Sequence, residues 1–340
     1  MEKINWNRTD LIDESEQVVA HQTTGQKQAL EEKSGVLIEE WNEGRVKVTS
    51  VKVNEHGAQQ IQKKKGSYIT LSVPTLSPAD TDGLEQLEKA LIKHFTDLHK
   101  PLKLKKEDKI LIVGLGNKTI TPDAIGPFAI DAMQKEFEED YDEQFIMYAP
   151  GVTGQTGFET SEFVGALADK IKPGLVIVID ALATRASTRL CRTIQLTDTG
   201  IHPGSGVGNE RAEVSYEALG VPVTAIGIPT VVESTVLLAD AVETVFRTIA
   251  AKIEEKDKPS NRLSVSSWQP RDISKANLDL VRPIFGEWST WSNDDRIQLF
   301  DEIFQNRERL IVTPKEVDVW LMHYAVLISN SLFKWIKTIS

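Results

Sequence analysis

KILIVGLGNKTITPDAIGP, Lys109 to Pro127, is the stretch whose reading decides the fold. An unbroken apolar run meets a glycine-bearing loop that delivers one carboxylate, Asp123. A segment with helical spacing at Phe128, Ala132 and Met133 follows. A strand that is apolar without alternation is one buried on both faces. The same grammar recurs downstream as FIMYA, the loop PGVTGQTG and a helix from Ser161 to Ile171. LVIVIDA, RTIQL and VPVTAIGI come next, and then a long helix through Val242, Val245 and Ile249. Strands of this kind separated by amphipathic helices predict an α/β fold, three layers in α/β/α order around a mainly parallel twisted sheet.

Upstream, VLIEEW and RVKVTSVKV alternate as strands do, with a slip of phase between Val48 and Val51 that predicts a β-bulge. Leu84, Leu87, Leu91, Phe95 and Leu98 then mark a helix. A β-rich N-terminal region packed on the core is therefore expected over residues 11–100, and the catalytic core over 101–254. Residues 255–309 read as a divergent module, charged and Trp-rich from Trp268 to Trp291, and 310–340 as a C-terminal helix returning to the core.

Of the 340 residues, 40% are hydrophobic, ample for a folded core, and 39 basic against 50 acidic residues leave a net charge of −11. Apart from Lys63-Lys64-Lys65 there is no basic run, so no direct nucleic-acid partner is expected. The lone Cys191 cannot form an internal disulfide, and the start MEKINWNRTD lacks the apolar run of a signal peptide, which predicts a cytoplasmic protein. Val319 to Ser329 is about half a membrane span, flanked by Asp318 and Asn330, so it reads as a buried helix and no membrane partner is expected.

The glycines raise a nucleotide-binding reading. After Gly114 and Gly116, a dinucleotide fingerprint needs a third glycine where Thr119 stands. A phosphate loop ending at Lys118-Thr119 needs glycine at 117 and 112, where the chain has Asn117 and Ile112. The second loop, GIHPGSGVGN from Gly200 to Asn209, fits neither pattern. A phosphate-binding module using the two loops remains the alternative function. Ser205 lacks the glycine of a nucleophile elbow because Pro203 occupies it, and the six histidines form no H-E-x-x-H. Cys191 reads as a buried structural thiol.

Two carboxylates remain. Ligands of an open parallel sheet gather at the carboxyl ends of its strands, where KILIVGLGN leads to Asp123 and LVIVID ends on Asp180. Such a pair shares a proton and activates water. The other reading is that Asp123 caps the following helix while Asp180 hydrogen-bonds an adjacent loop.

The segments VGLGNKTITPDAIGP, PGVTGQTGFETSE, IDALATR, TDTGIHPGSGVGNERAEVSYEALGVPVTAIGIPTVVES and VTPKEVD resemble the germination protease family of endospore-forming bacteria. The resemblance covers roughly residues 8–73, 109–252 and 310–330. It implies a hydrogenase-maturation-protease-like α/β fold and a homotetrameric endopeptidase that degrades small acid-soluble spore proteins in the forespore or spore core. The two essential aspartates of the family fall on Asp123 and Asp180. Around them, Gly114, Gly116, Asn117, Gly204, Ser205 and Gly206 would offer backbone N–H groups to an oxyanion or hold the peptide, with Arg185 and His202 in support. No cofactor is expected, although a divalent metal held by carboxylates is left open.

The resemblance also implies a zymogen. Residues 1–10 would be a propeptide, removed by self-cleavage between Asp10 and Leu11, an acidic residue followed by a large apolar one. Candidate cations for the acidic residue are Arg185, Arg189, Arg192 and Lys63 to Lys65. The sequence departs from the family at Ile12, where a small residue is the norm, and at Glu233, where aspartate is expected.

Overall fold

The computed structural model describes residues 9–14, 35–61, 63–137, 144–152, 159–203, 212–254, 273–304 and 310–339. In chain order its strands are β1 (Val36–Glu43), β2 (Val46–Val53), β3 (Gly66–Ser72), β4 (Ile110–Gly114), β5 (Phe145–Tyr148), β6 (Leu175–Thr184), β7 (Thr193–Thr197), β8 (Val223–Glu233) and β9 (Ile311–Val312). The longer helices are α1 (Glu55–Ile61), α2 (Thr81–His99), α3 (Ile125–Phe137), α4 (Thr160–Ile171), α5 (Ser234–Glu254), α6 (Asn293–Phe304) and α7 (Val317–Ile339).

All of β4 is buried because helices close on both faces of the sheet. Ile110 and Ile112 of β4 enter one core with Leu175, Ile177 and Ile179 of β6; Leu111 and Val113 enter another with Val176 and Val178. The first core is closed by Leu87, Leu91 and Phe95 of α2, Ala129, Ile130 and Met133 of α3, and Leu321, Tyr324 and Ile328 of α7. The second is closed by Val164 of α4. This is the three-layer α/β arrangement. Val319, Met322 and Val326 lie on the exposed face of α7, and no helix among the described residues is long and apolar enough to cross a membrane.

The sheet runs β1-β2-β3-β7-β8-β6-β4-β5. β4 pairs in parallel with β5 and β6, while β1, β2, β3, β7 and β8 pair antiparallel in succession. The N-terminal strands therefore join the core edge to edge, Tyr68 opposite Thr197 through Ser72 opposite Thr193. The bulge expected in β2 is not there: its register is unbroken from Val36 opposite Val53 to Glu43 opposite Val46, and from Lys47 opposite Ser72 to Val53 opposite Gly66. Val46 and Val48 enter the core under α2, whereas Val51 and Val53 pack on the other face with Ile12, Ile61 and Tyr68. The apparent slip of phase records burial of both faces, not an inserted residue.

By its contacts the chain groups into two units, Met1–Val231 with Thr313–Ser340, and Val232–Val312. The sequence places the helix through Val242 with the core; in the structure α5 belongs to the second unit. There Phe246 and Ala250 pack with Val281, and Trp288 meets Phe246 edge to face at 5.2 Å between ring centres. Fully buried Arg296 of α6 pairs with Glu243, and β9 pairs with Val232 and Glu233 at the end of β8. Trp268 lies outside the described residues.

Candidate active site

The loop after β4 is shaped by the close approach of backbones. A Cβ added at Gly114 would lie 2.3 Å from the Gly126 carbonyl oxygen. One added at Gly126 would lie 2.2 Å from the Leu115 oxygen and 2.6 Å from that of Ile179. Glycine at both positions lets α3 begin directly against the ends of β4 and β6. Gly116 has φ +114°, and a Cβ there would lie 1.9 Å from the Asp123 carbonyl oxygen. The short 3-10 turn Thr121–Asp123 is thereby folded back over the strand end and packs on β6.

The Asn117 N–H donates to Asp123 Oδ2 at 2.7 Å, and Asn117 Oδ1 accepts the Thr119 N–H at 2.9 Å and hydroxyl at 2.7 Å. The Asn117 N–H is therefore engaged by the carboxylate and not offered to an oxyanion. The interaction is a charge-assisted hydrogen bond that aims Asp123.

Asp180 does not end its strand, as the sequence suggests; β6 continues to Thr184. What ends is the pairing. The parallel ladder closes at Gly114 opposite Ile179, with a last hydrogen bond from the Leu115 N–H to the Ile179 oxygen at 2.8 Å. Asp180 is the next residue, 4% exposed, and its Oδ1 accepts the Ala181 N–H at 2.9 Å. By alternation it shares the face of Val176 and Val178. Both aspartates thus reach the carboxyl end of the β4–β6 ladder, one on a turn and one on a strand.

The other candidates divide. Gly114, Gly116 and Asn117 build the Asp123 loop. The Arg185 N–H donates to Glu14 Oε2 at 2.7 Å. His202 is half-exposed, with Nε2 3.1 Å from Glu213 Oε2; burial lowers its pKa and the Glu213 charge opposes this. Gly204, Ser205 and Gly206 lie outside the described residues, as do 153–158 of the PGVTGQTG loop. Cys191 is buried, its N–H donating to the Pro229 oxygen at 2.8 Å, and burial pushes its thiol up to about 12. Glu233 is buried at the end of β8. Among the described residues no cluster of three or more His, Cys, Asp or Glu side chains is placed to hold a metal.

A family profile described as germination protease matches residues 12–338. The chain is 36% identical to the germination protease of Priestia megaterium, over 96% of this chain and 92% of that one. It is also 36% identical to that of Oceanobacillus iheyensis, with the same coverage. The chain belongs to the germination protease family. It is accordingly a protease by family. A [NiFe] hydrogenase maturation protease from Thermococcus kodakarensis aligns with 40% of this chain and 80% of its own at 17% identity and a TM-score of 0.29.

In this germination protease family member, Asp10 and Leu11 lie along the second half of β6. Asp10 N–H donates to the Ala183 oxygen at 3.1 Å, and Asp10 Oδ2 accepts the Ala183 N–H at 2.8 Å. The candidate cations sort by partner. Arg189 forms a fork on Asp13 at 3.0 and 2.9 Å, Arg192 donates to the Leu76 and Leu190 oxygens, Lys64 pairs with Glu213 and Glu217, and Lys65 with Glu55. Burial pulls the Lys63 pKa down and the Asp10 charge pulls it back up, and the same charge acts on His202. Sequence reasoning passed over Gln195, whose side chain also meets this segment. Its signal was a polar residue inside RTIQL, a strand buried throughout.

Proposed function

We propose that the chain is an endopeptidase that begins the degradation of small acid-soluble spore proteins during germination. It is made as a homotetrameric zymogen in the forespore, later the spore core, and cuts itself between Asp10 and Leu11. Asp123 and Asp180 share one proton and bind a water. The ionised member takes a proton from the water as it attacks the scissile carbonyl, and the protonated member donates to the departing amine. No covalent intermediate with the enzyme forms, and no step is routed through a metal or other cofactor.

The observation that carries this reading is the convergence of the two aspartates where the β4–β6 ladder ends. Leu115 hydrogen-bonds Ile179, the residue before Asp180, and Gly116 lies against the Asp123 backbone. Asn117 holds one carboxylate by its N–H while the other sits in an apolar strand. The family's activity supports the same conclusion. A net charge of −11 disfavours direct binding to DNA while leaving the enzyme free to take substrates released from it.

The test is cleavage of a purified spore DNA-coating protein by the wild type and by Asp123→Asn and Asp180→Asn chains that retain native circular dichroism. Each substitution should lower the rate by about a hundredfold or more. Undiminished cleavage by both ends the dyad. A parallel reaction with a strong chelator separates proton sharing from metal chemistry, since only the latter loses activity. Heat stabilisation by a nucleotide, unaffected by Asp123→Asn, would favour the phosphate-binding alternative.

A further inference from the structure

Residues 10–12, a bend at Asp10 leading into the 3-10 turn Ile12–Glu14, are gripped by β6 and β7 through both main chain and side chain. Asp10 exchanges hydrogen bonds with Ala183 of β6, main chain to main chain at 3.1 Å and N–H to carboxylate at 2.8 Å. From β7, the Gln195 amide brackets Leu11: Nε2 donates to the Asp10 carbonyl at 3.2 Å and Oε1 accepts the Ile12 N–H at 2.9 Å. A primary amide carries one donor side and one acceptor side, the pair that a neighbouring strand presents to an added peptide.

The side chains are sorted by chemistry. Leu11 and Ile12 are fully buried, Ile12 among Val36, Val51, Val53 and Tyr68. Past them, Glu14 accepts the Thr184 hydroxyl at 2.5 Å and the Arg185 N–H at 2.7 Å, and Arg189 forks onto Asp13. A segment that merely covered a core would need the apolar contacts and not the matched charges. Gln195 is paired with Gly227 across the β7–β8 ladder, and a Cβ at Gly227 would lie 2.3 Å from Leu182 Cδ1. Leu182 alternates with Asp180 on β6, so Gln195 and Asp180 address the same face of the sheet.

We propose that Ala183 and Gln195 form a binding site for an acidic–apolar peptide, and that Asp10 to Ile12 are its in-chain occupant. The inference deepens the peptidase reading and rests on it for calling the occupant a substrate. Ala183 lies three residues past Asp180, about 10 Å along the strand, so in this register the segment is held beside the dyad, uncut. The Ala183 oxygen and the Gln195 amide supply the main-chain grip; the Ala183 N–H, bonded to the Asp10 carboxylate, supplies the preference for an acid.

Hydrogen exchange at the amides of residues 9–14 tests this in the full chain carrying Asp180→Asn, which under the dyad reading does not cut itself. Gln195→Ala should speed that exchange by about tenfold or more, two hydrogen bonds being lost, while leaving β4 protected. Asp10→Lys, which removes the acceptor of the Ala183 N–H, should loosen the segment as well. In the Asp10→Lys background, a synthetic peptide of residues 7–16 should bind, and its Asp10→Asn form should bind about tenfold more weakly. Unchanged exchange in Gln195→Ala, or in Asp10→Lys, overturns the site. None of these readouts requires cleavage, so a chain that binds and never cuts ends the peptidase reading alone.

Discussion

Gly116→Ala is the substitution whose effect the structure sets most sharply. The new Cβ would lie 1.9 Å from the Asp123 carbonyl oxygen, whereas Cβ atoms essentially never come within 3.0 Å of such a neighbour. The obstacle is backbone, so the turn itself must open by about 1 Å, an overpacking cost of roughly 1–3 kcal/mol. The φ of +114° adds about 1–2 kcal/mol for a residue with a side chain. Opening the turn also stretches the 2.7 Å hydrogen bond from Asn117 to Asp123, worth about 1.5–3 kcal/mol as a bond to a charged group. Together these predict a loss of roughly 4 kcal/mol or more. Gly220→Ala is the control: φ is +66° with nothing within 4 Å of the new Cβ, so only the backbone term applies, about 1 kcal/mol. Urea unfolding of both variants, compared through midpoint and slope, isolates the clash. Peptidase activity should fall in Gly116→Ala even under conditions where it is folded, because Asp123 moves. If the two variants lie within about 1 kcal/mol of each other, the close approach that this argument gives to Gly116 is refuted.

Buried His99 accepts the Thr224 hydroxyl at Nε2 (2.8 Å) and donates from Nδ1 to the Phe95 carbonyl (2.6 Å), an arrangement for the neutral ring. Burial, only partly opposed by the Phe95 hydrogen bond, lowers its pKa from 6.5 to about 4. Its contribution is therefore complete above about pH 6.5 and is lost as pH falls towards 4, by up to about 3 kcal/mol; His99→Gln should flatten the stability slope across that window, and an unchanged slope counts against it. Cys191, with its thiol pushed up to about 12 by burial, should resist alkylation at pH 8 until the protein unfolds; labelling of the native chain at the rate of a free thiol would contradict the structure. Arg189→Ala leaves Asp13 and Glu14 without their shared guanidinium and should loosen residues 9–14 by about 2–3 kcal/mol, read as faster nicking there by an added protease; equal nicking in both chains would show the fork to be idle.

Much of the fold was legible because burial on both faces writes an unmistakable pattern. KILIVGL and LVIVID carry apolar residues at odd and even positions alike, and they became the parallel strands β4 and β6. The same pattern misled in β2, where Val48 and Val51 serve opposite faces and only looked like a change of phase. The helix through Val242 has core-like spacing, but spacing does not say which core, and it packs with Val281 and Trp288 in the second unit. For the candidate site, Asp123 and Asp180 stood out as carboxylates next to apolar strands. Gln195 was passed over, since it carries no local motif.

The sequence by itself determined the order of β4 to β8 and the helices between them, the three-layer α/β class and the family, and it pointed to the two aspartates, because periodicity, glycine placement and long motifs are local properties of the chain. Tertiary structure alone decided that Gly116 lies under the Asp123 backbone, that the Asn117 N–H is held by the Asp123 carboxylate, and that β1 to β3 extend the core sheet through β7. It also decided that the Ala183 N–H meets the Asp10 carboxylate and that Gln195 brackets Leu11. Those are contacts between residues far apart in the chain, and they exist only once the sheet has brought the strands into register.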